Sequence, residues 1–269
     1  MTYRLLQAPA PTEERGAGQN RRQTNDHFQP HPGLPRACAT KFGPVDAKPC
    51  DLFVHDADEL WRNGQWVEGK GRMIRRDAPK NEILMYVSGH AQLEHSTRMG
   101  CAVVTGPKSS ADYATDGRLL TFCVETHGPT KELHSPSILR AELRAAIAAL
   151  EHTDLADEGW SRITVATHSY DLVEGITKHI AGWQQQNWGV VTAGGPITSR
   201  DMWETLLSII NRYASRGVEV RFWRVPKDLN REARKEARKI SERGHTRTEY
   251  NASSGTDYVS TAMAMLEAY

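Results

Sequence analysis

Three apolar runs separated by turn-rich segments, followed by alternating helix-period and strand-period stretches, constrain this chain more than any other feature. ILMYVSG (83–89) is a continuous apolar run ending in glycine, the pattern of a strand covered on both faces. CAVVTG (101–106) and RLLTFCVET (118–126) follow, separated by the turn-rich KSSADYATDG, so the three read as an antiparallel meander. LRAELRAAIAALEH then places Leu139, Leu143, Ile147 and Leu150 at helical spacing. RITVAT (162–167) comes after that helix and reads as a strand parallel to the first. A second helix carries Leu172, Ile176, Ile180 and Trp183 on one face. Past QQQNWGVVTAGGPIT a third is expected, with Ser199 as N-cap, Met202, Leu206, Ile209 and Tyr213 as buried stripe, and Gly217 as stop. VEVRFWRV (218–225) is a fifth strand, and a basic helix starts near Asn230. The order β-β-β-α-β-α-α-β-α predicts an α/β fold, a five-stranded mixed sheet flanked by helices.

Residues 1–50 are rich in Pro, Gly, Gln, Asn and Arg with little apolar periodicity, so they read as a flexible or loosely attached segment. Residues 51–82, with Leu52, Phe53, Val54, Leu60, Trp61 and Trp66, read as an N-terminal extension packed on the domain that spans 83–243; 244–269 remain as a tail. The chain has 269 residues, 39% hydrophobic, enough for one substantial core plus an appendage. Its 34 basic and 33 acidic residues leave a net charge of +1, which lacks the strong basic excess of a dedicated nucleic-acid binder. Positive charge is instead local: ten Lys and Arg fall between Arg221 and Arg247, against Asp228, Glu232, Glu236 and Glu242. Cys38, Cys50, Cys101 and Cys123 lack the close-paired spacing of a zinc site or disulfide framework, and Cys101 and Cys123 read as buried thiols. With no secretory apolar segment and no long apolar span, an intracellular protein is expected, cytoplasmic or nuclear, with no membrane partner.

The element order and several motifs resemble the ribonuclease H family, with fungal members closest in style. RAELRAAIAALE (140–151) looks like the family's first helix, whose motif carries a catalytic glutamate. ITVATHSYDLVEGITKHIAGWQQQNW resembles its fourth strand and following helix, and TAGGPITSRDMWETL its loop and "NRDLWE"-type helix start. FWRVPKDLNREARKEARKI is similar to the last strand and last helix of versions without a mobile histidine loop. The resemblance covers roughly residues 83–243 and implies a nuclease that cuts RNA in RNA–DNA hybrids, using Mg2+ or Mn2+ held by four carboxylates.

Set against that motif, the active-site positions are degenerate. Where the family has "Y-T-D-G", this chain has Tyr86-Val87-Ser88-Gly89; where it has "T-D-S", Thr167-His168-Ser169 stands. Only Glu142 is retained, and the fourth position falls on Arg234. Asp228 and Glu232 do not replace it, because Glu232 is two residues from Arg234 and faces elsewhere on a helix. The asparagine that the family places before its helix motif is also missing, with Ile138-Leu139 before Arg140, and Trp183 to Ser199 contains no Lys or Arg. These departures imply no resident metal or other cofactor. The expected role is a catalytically degenerate module that recognises a protein partner or makes weak nucleic-acid contact; an active hybrid ribonuclease with a rearranged site is the alternative. Nucleic-acid contact, where made, falls to Arg231, Lys235, Arg238 and Lys239 in the 231–247 run, although a basic run of this kind also reads as a solvated helix face. Leu139 fits the buried stripe, whereas Ile138 lies off it and is the better exposed contact. A third reading gathers His90, His95, His134 and His168 with Glu142 into a new transition-metal site. In the degenerate pocket, Arg234 is expected to pair directly with Glu142.

Overall fold

A computed structural model describes residues 39–42, 47–55, 59–62, 65–68, 72–75, 82–92, 98–106, 118–189, 191–192 and 195–251. Cys38 and His95 lie outside these, as do the side chains of Leu60, Trp61 and Trp66. The five expected strands are present as β6 (Glu82–Ala91), β7 (Met99–Val104), β8 (Leu119–Cys123), β9 (Arg162–Thr167) and β12 (Glu219–Arg224). The first, second and third pair antiparallel, while β6–β9 and β9–β12 are parallel. The sheet is wider than expected, with eight strands, because the N-terminal region adds β1 (Thr40–Lys41), β2 (Phe53–His55) and β5 (Met73–Arg75). β1 runs parallel beside β12, and β5 pairs with Ile83 and Leu84 of β6, with β2 outside it. Among the described residues, the sheet thus already includes Thr40 and Lys41, inside the segment expected to be flexible or loosely attached. Between them lie α1 (Pro49–Leu52) and a hairpin, β3 (Glu59–Arg62) with β4 (Gln65–Glu68).

That early attachment has a physical cause. One sheet face is covered by α2 (Ile138–Glu151), α3 (Tyr170–Glu174), α4 (Ile180–Gln185) and α5 (Arg200–Ser215), and their apolar side chains form the main core. On the other face α6 (Arg231–Arg243) covers β6, β7 and β8. The aromatic surface left on that face is closed by Phe42 and Phe53, which pack with Leu84, Ala166, Trp223 and Val225. Phe42 and Trp223 rings are 4.8 Å apart, and burying a Phe side chain is worth about 1.5–3 kcal/mol.

Helix α2 departs from its expected one-sided pattern, since it is buried continuously from Arg140 to Leu150. Ala141, Ala145, Ala146, Ala148 and Ala149 let it lie close to its neighbours, and Ser137 caps it by accepting from the Arg140 N–H at 3.0 Å. Two arginines are buried with it. Arg140 donates to both oxygens of Asp201 at 2.9 and 2.8 Å. Arg144 donates to both oxygens of Glu125 at 2.9 and 2.8 Å and to the Asn251 carbonyl at 2.9 Å. The Arg144 guanidinium also lies 4.8 Å from the Phe122 ring centroid and 4.7 Å from that of Tyr250. The tail expected from 244 onward is thus tied down as far as Asn251.

The second helix reads as expected for Leu172, Ile176 and Ile180, but it contains a π turn at Gly175–His179 between α3 and α4. The connecting loop holds a short hairpin, β10 (Val191–Thr192) with β11 (Gly195–Pro196). Ser199 precedes α5 in a left-handed conformation, and its carbonyl rather than its hydroxyl receives the Met202 and Trp203 N–H groups at 3.0 and 3.1 Å. Gly217, at φ 77°, ends that helix. Replacing Arg144 by Ala, which strands Glu125 in the interior, is expected to cost about 3–5 kcal/mol in urea unfolding and to expose the amides of 247–251 to exchange. A loss below about 1 kcal/mol would show that the pair contributes little.

Candidate active site

The four positions singled out in the sequence are carried by four elements. β6 supplies Ser88 and α2 supplies Glu142; His168 follows the end of β9, and Arg234 lies in the first turns of α6. Close approach of β6 to α2 requires Gly89, because a Cβ there would lie 2.2 Å from the Ala141 carbonyl carbon and from the Glu142 nitrogen. The carboxylate of Glu142 is fully buried beneath the strand ends. Thr167 Oγ1 donates to its Oε2 at 3.1 Å, Ser88 Oγ reaches Oε1 at 3.5 Å, and the Gly89 N–H also donates to it. Burial outweighs these donors and pushes the Glu142 carboxyl up to about 7. His168 Nδ1 lies 3.7 Å from Glu142 Oε1, too far for a hydrogen bond. Burial, with the charges of Arg234 and Lys227, pushes His168 down to about 4, so it is neutral at physiological pH.

The expected pairing of Arg234 with Glu142 is not made. Arg234 Nη1 donates to the Lys227 carbonyl at 3.4 Å, and its charge acts on Glu142 only through space. The reason lies in the neutral donors: Thr167, Ser88 and Gly89 already meet the carboxylate oxygens, and none needs to bring a second charge into the interior. Thr167 escaped the sequence reading, although its place beside the third position was a usable signal. Asn230 escaped as well; it is buried, and its side-chain amide donates to the Val87 carbonyl at 2.9 Å, fixing the start of α6 against β6. Arg140 and Asp201 were passed over because a charged residue in a helix reads as surface.

The basic run forms the outer face of α6. Ala233, Ala237 and Ser241 are buried, while Arg231, Lys235, Arg238 and Lys239 are exposed. Arg238 pairs with Glu242 at 2.9 Å and Lys239 with Glu236 at 3.5 Å. Glu232 turns away from the pocket to Arg118 at 2.8 Å. The described histidines of the set, His90, His134 and His168, do not gather. His90 Nδ1 is 3.0 Å from Ser241 Oγ and His134 Nε2 is 3.3 Å from Asp201 Oδ2, and among the described residues no three His, Cys, Asp or Glu side chains are grouped to hold a metal. Hard divalent cations take several oxygen ligands, usually anionic, so one buried carboxylate with two hydroxyls, an imidazole and a nearby guanidinium does not fit them.

Beside this pocket is a cleft of about 270 Å³ lined by Leu139, Tyr170, Glu174, His179, Trp183 and Trp203 among others. Leu139 is half-buried there and Ile138 is 56% exposed. The family profile described as RNase H matches residues 80–222, more than half of the chain. The chain belongs to the RNase H family. Its eight-stranded sheet is an RNase H-like α/β fold widened by the N-terminal strands, and Arg234 lies beyond the matched stretch. The chain is 40% identical over 70 residues to a ribonuclease H of Pelobacter propionicus, an alignment covering 26% of this chain and 40% of that protein. It is 38% identical over 74 residues to ribonuclease HI of Xylella fastidiosa, covering 28% and 46%. The chain thus spans less than half the length of these relatives. RNase H1 of Halobacterium salinarum is 17% identical with a TM-score of 0.35, covering 60% of this chain and 98% of that one.

The two shifted groups act oppositely on stability. The folded protein keeps a proton on Glu142 that the unfolded chain loses, so that stabilisation is complete below pH 4.5 and is lost as pH rises through 7. For His168, stabilisation is present above pH 6.5 and is lost as pH falls through 4. Their slopes oppose each other between those limits, and above pH 6.5 only Glu142 acts. Because His168 is common to both proteins, Glu142→Gln is expected to gain on the parent protein between pH 4.5 and about 8, by on the order of 3 kcal/mol in denaturant unfolding. Parallel curves for the two proteins would show that Glu142 holds no such proton.

Proposed function

We propose that this RNase H-family chain does not cleave nucleic acid and serves as a binding module that makes weak, electrostatic contact with it. What supports this most is the identity of the side chains at the positions where the family resemblance implies carboxylates. Ser88, His168 and Arg234 leave Glu142 as the only carboxylate, and that group is buried among neutral donors. Two divalent cations need several anionic ligands to offset their mutual repulsion, and a guanidinium at the rim adds to that repulsion. The competing reading, an active hybrid ribonuclease with a rearranged site, would have to work without them. Recognition of a protein partner is a second reading, favoured by the exposed apolar side chains of Ile138, next to the cleft-lining Leu139, and of Tyr170, which lines the cleft. Among the described residues no helix is long and apolar enough to cross a membrane, and an intracellular setting, cytoplasmic or nuclear, goes with either reading.

The deciding assay is cleavage of an RNA–DNA hybrid with magnesium or manganese. No cutting above background is expected, and Arg234→Asp alone should not restore it, because Ser88 and His168 still provide no carboxylate. Metal-dependent cleavage abolished by Glu142→Gln would overturn the proposal. Hybrid binding, borne by the exposed face of α6, should fall steeply with salt and show no preference over duplex DNA. Tight, hybrid-selective binding at physiological salt would contradict it.

A further inference from the structure

We propose that the former metal pocket is a metal-independent site for a phosphate oxyanion, held by Arg224, Lys227 and Arg234. This rests on the non-cleaving reading above and names what that site binds. The three cations come from three successive elements. Arg224 is the last residue of β12 and is in register with Thr167. Paired residues of parallel strands point to the same sheet face, so Arg224 emerges on the side of Glu142 and His168. Its guanidinium lies 5.0 Å from the ring centroid of Tyr170, the first residue of α3. Lys227 opens the 3-10 turn that leads into α6, and Arg234 reaches back to its carbonyl. Lys227 and Arg234 both lie close enough to His168 for their charges to act on its ring.

Several arginines elsewhere in the protein are answered by carboxylates: Arg118, Arg140, Arg144 and Arg216 each pair with one. Among the described residues, Arg224, Lys227 and Arg234 pair with none. The one carboxylate of the pocket, Glu142, is fully buried and meets neutral donors instead. Positive charge without a carboxylate partner therefore stands beyond the ends of β9 and β12. Two guanidinium groups and an ammonium are donors suited to a tetrahedral oxyanion, and charge-assisted bonds of this kind need no bridging metal. The oxyanion can come from the phosphodiester backbone of a nucleic acid or from a free phosphate monoester, since both present the same oxygens.

The test is a titration of the full chain in excess EDTA, followed by backbone-amide NMR. Inorganic phosphate should give saturable shifts confined to 88–89, 167–170 and 224–234, with affinity in the millimolar range, about 4 kcal/mol. Arg234→Gln should weaken it by roughly fivefold, about 1 kcal/mol, whereas Arg212→Gln on the exposed side of α5 should leave it unchanged. Unfolding curves of both variants exclude a folding defect. Two further arms separate the sources: a nucleoside monophosphate, and a short RNA–DNA hybrid without terminal phosphates, each tested for competition with phosphate. Competition by either supports the site and identifies its source. Absence of saturable shifts, or an Arg234→Gln variant that binds as well as the parent, overturns the site. If the hybrid remains uncut in magnesium, the non-cleaving reading survives that loss; if it is cut in a Glu142-dependent way, that reading falls whatever phosphate does.

Discussion

Helix α2 is enclosed on every side, so each polar group it carries has to be answered within the protein. This constraint organises the rest. The answers differ along the helix: Arg140 is met by the N-terminal turn of α5, and Arg144 by the end of β8 and by the segment after α6. Glu142, between them, is met by hydroxyls and a peptide N–H from two strands. A bidentate ion pair can be as stable as packed carbon when its geometry is good, and breaking one partner is what costs heavily. The helix thus fixes the position of α5 and the strap through Asn251, and it also presents Glu142 to the strand ends.

The same enclosure explains the chemistry of the pocket. Hydroxyl and imidazole groups surround a carboxyl group pushed up to about 7, while the guanidinium of Arg234 stays outside. Desolvation outweighs the through-space attraction of a cation that does not make contact. Bringing Arg234 inward would exchange its hydration for a single interaction that Thr167 and Gly89 already supply. The outcome is a pocket whose interior is close to neutral and whose rim is positive.

Much of the fold was legible in the sequence, because strand and helix periods differ and the order of elements was distinctive. RITVAT is a strand over the predicted residues, and Gly217 stops α5 where a glycine of positive φ was expected. Less legible were features set by partners far along the chain. Nothing local to Thr40 announces a strand; its pairing with Arg221 of β12 creates one. Arg140 and Arg144 read as surface residues until Asp201 and Glu125 are brought against them. At the candidate site, motif positions singled out Ser88, Glu142, His168 and Arg234 for attention, but not which donor would meet Glu142. That was decided by distance and desolvation, through Thr167, whose hydroxyl is a routine strand side chain until the helix lies over it.

Direct measurement of divalent-metal binding tests the account most closely. Manganese titrated into the folded chain at neutral pH, followed by calorimetry and by water-proton relaxation, should give no saturable binding. Glu142→Gln should leave that flat response unchanged. Saturable binding of one or two manganese ions that disappears in Glu142→Gln would contradict the central claim, because it would place a working metal centre where the side chains leave none.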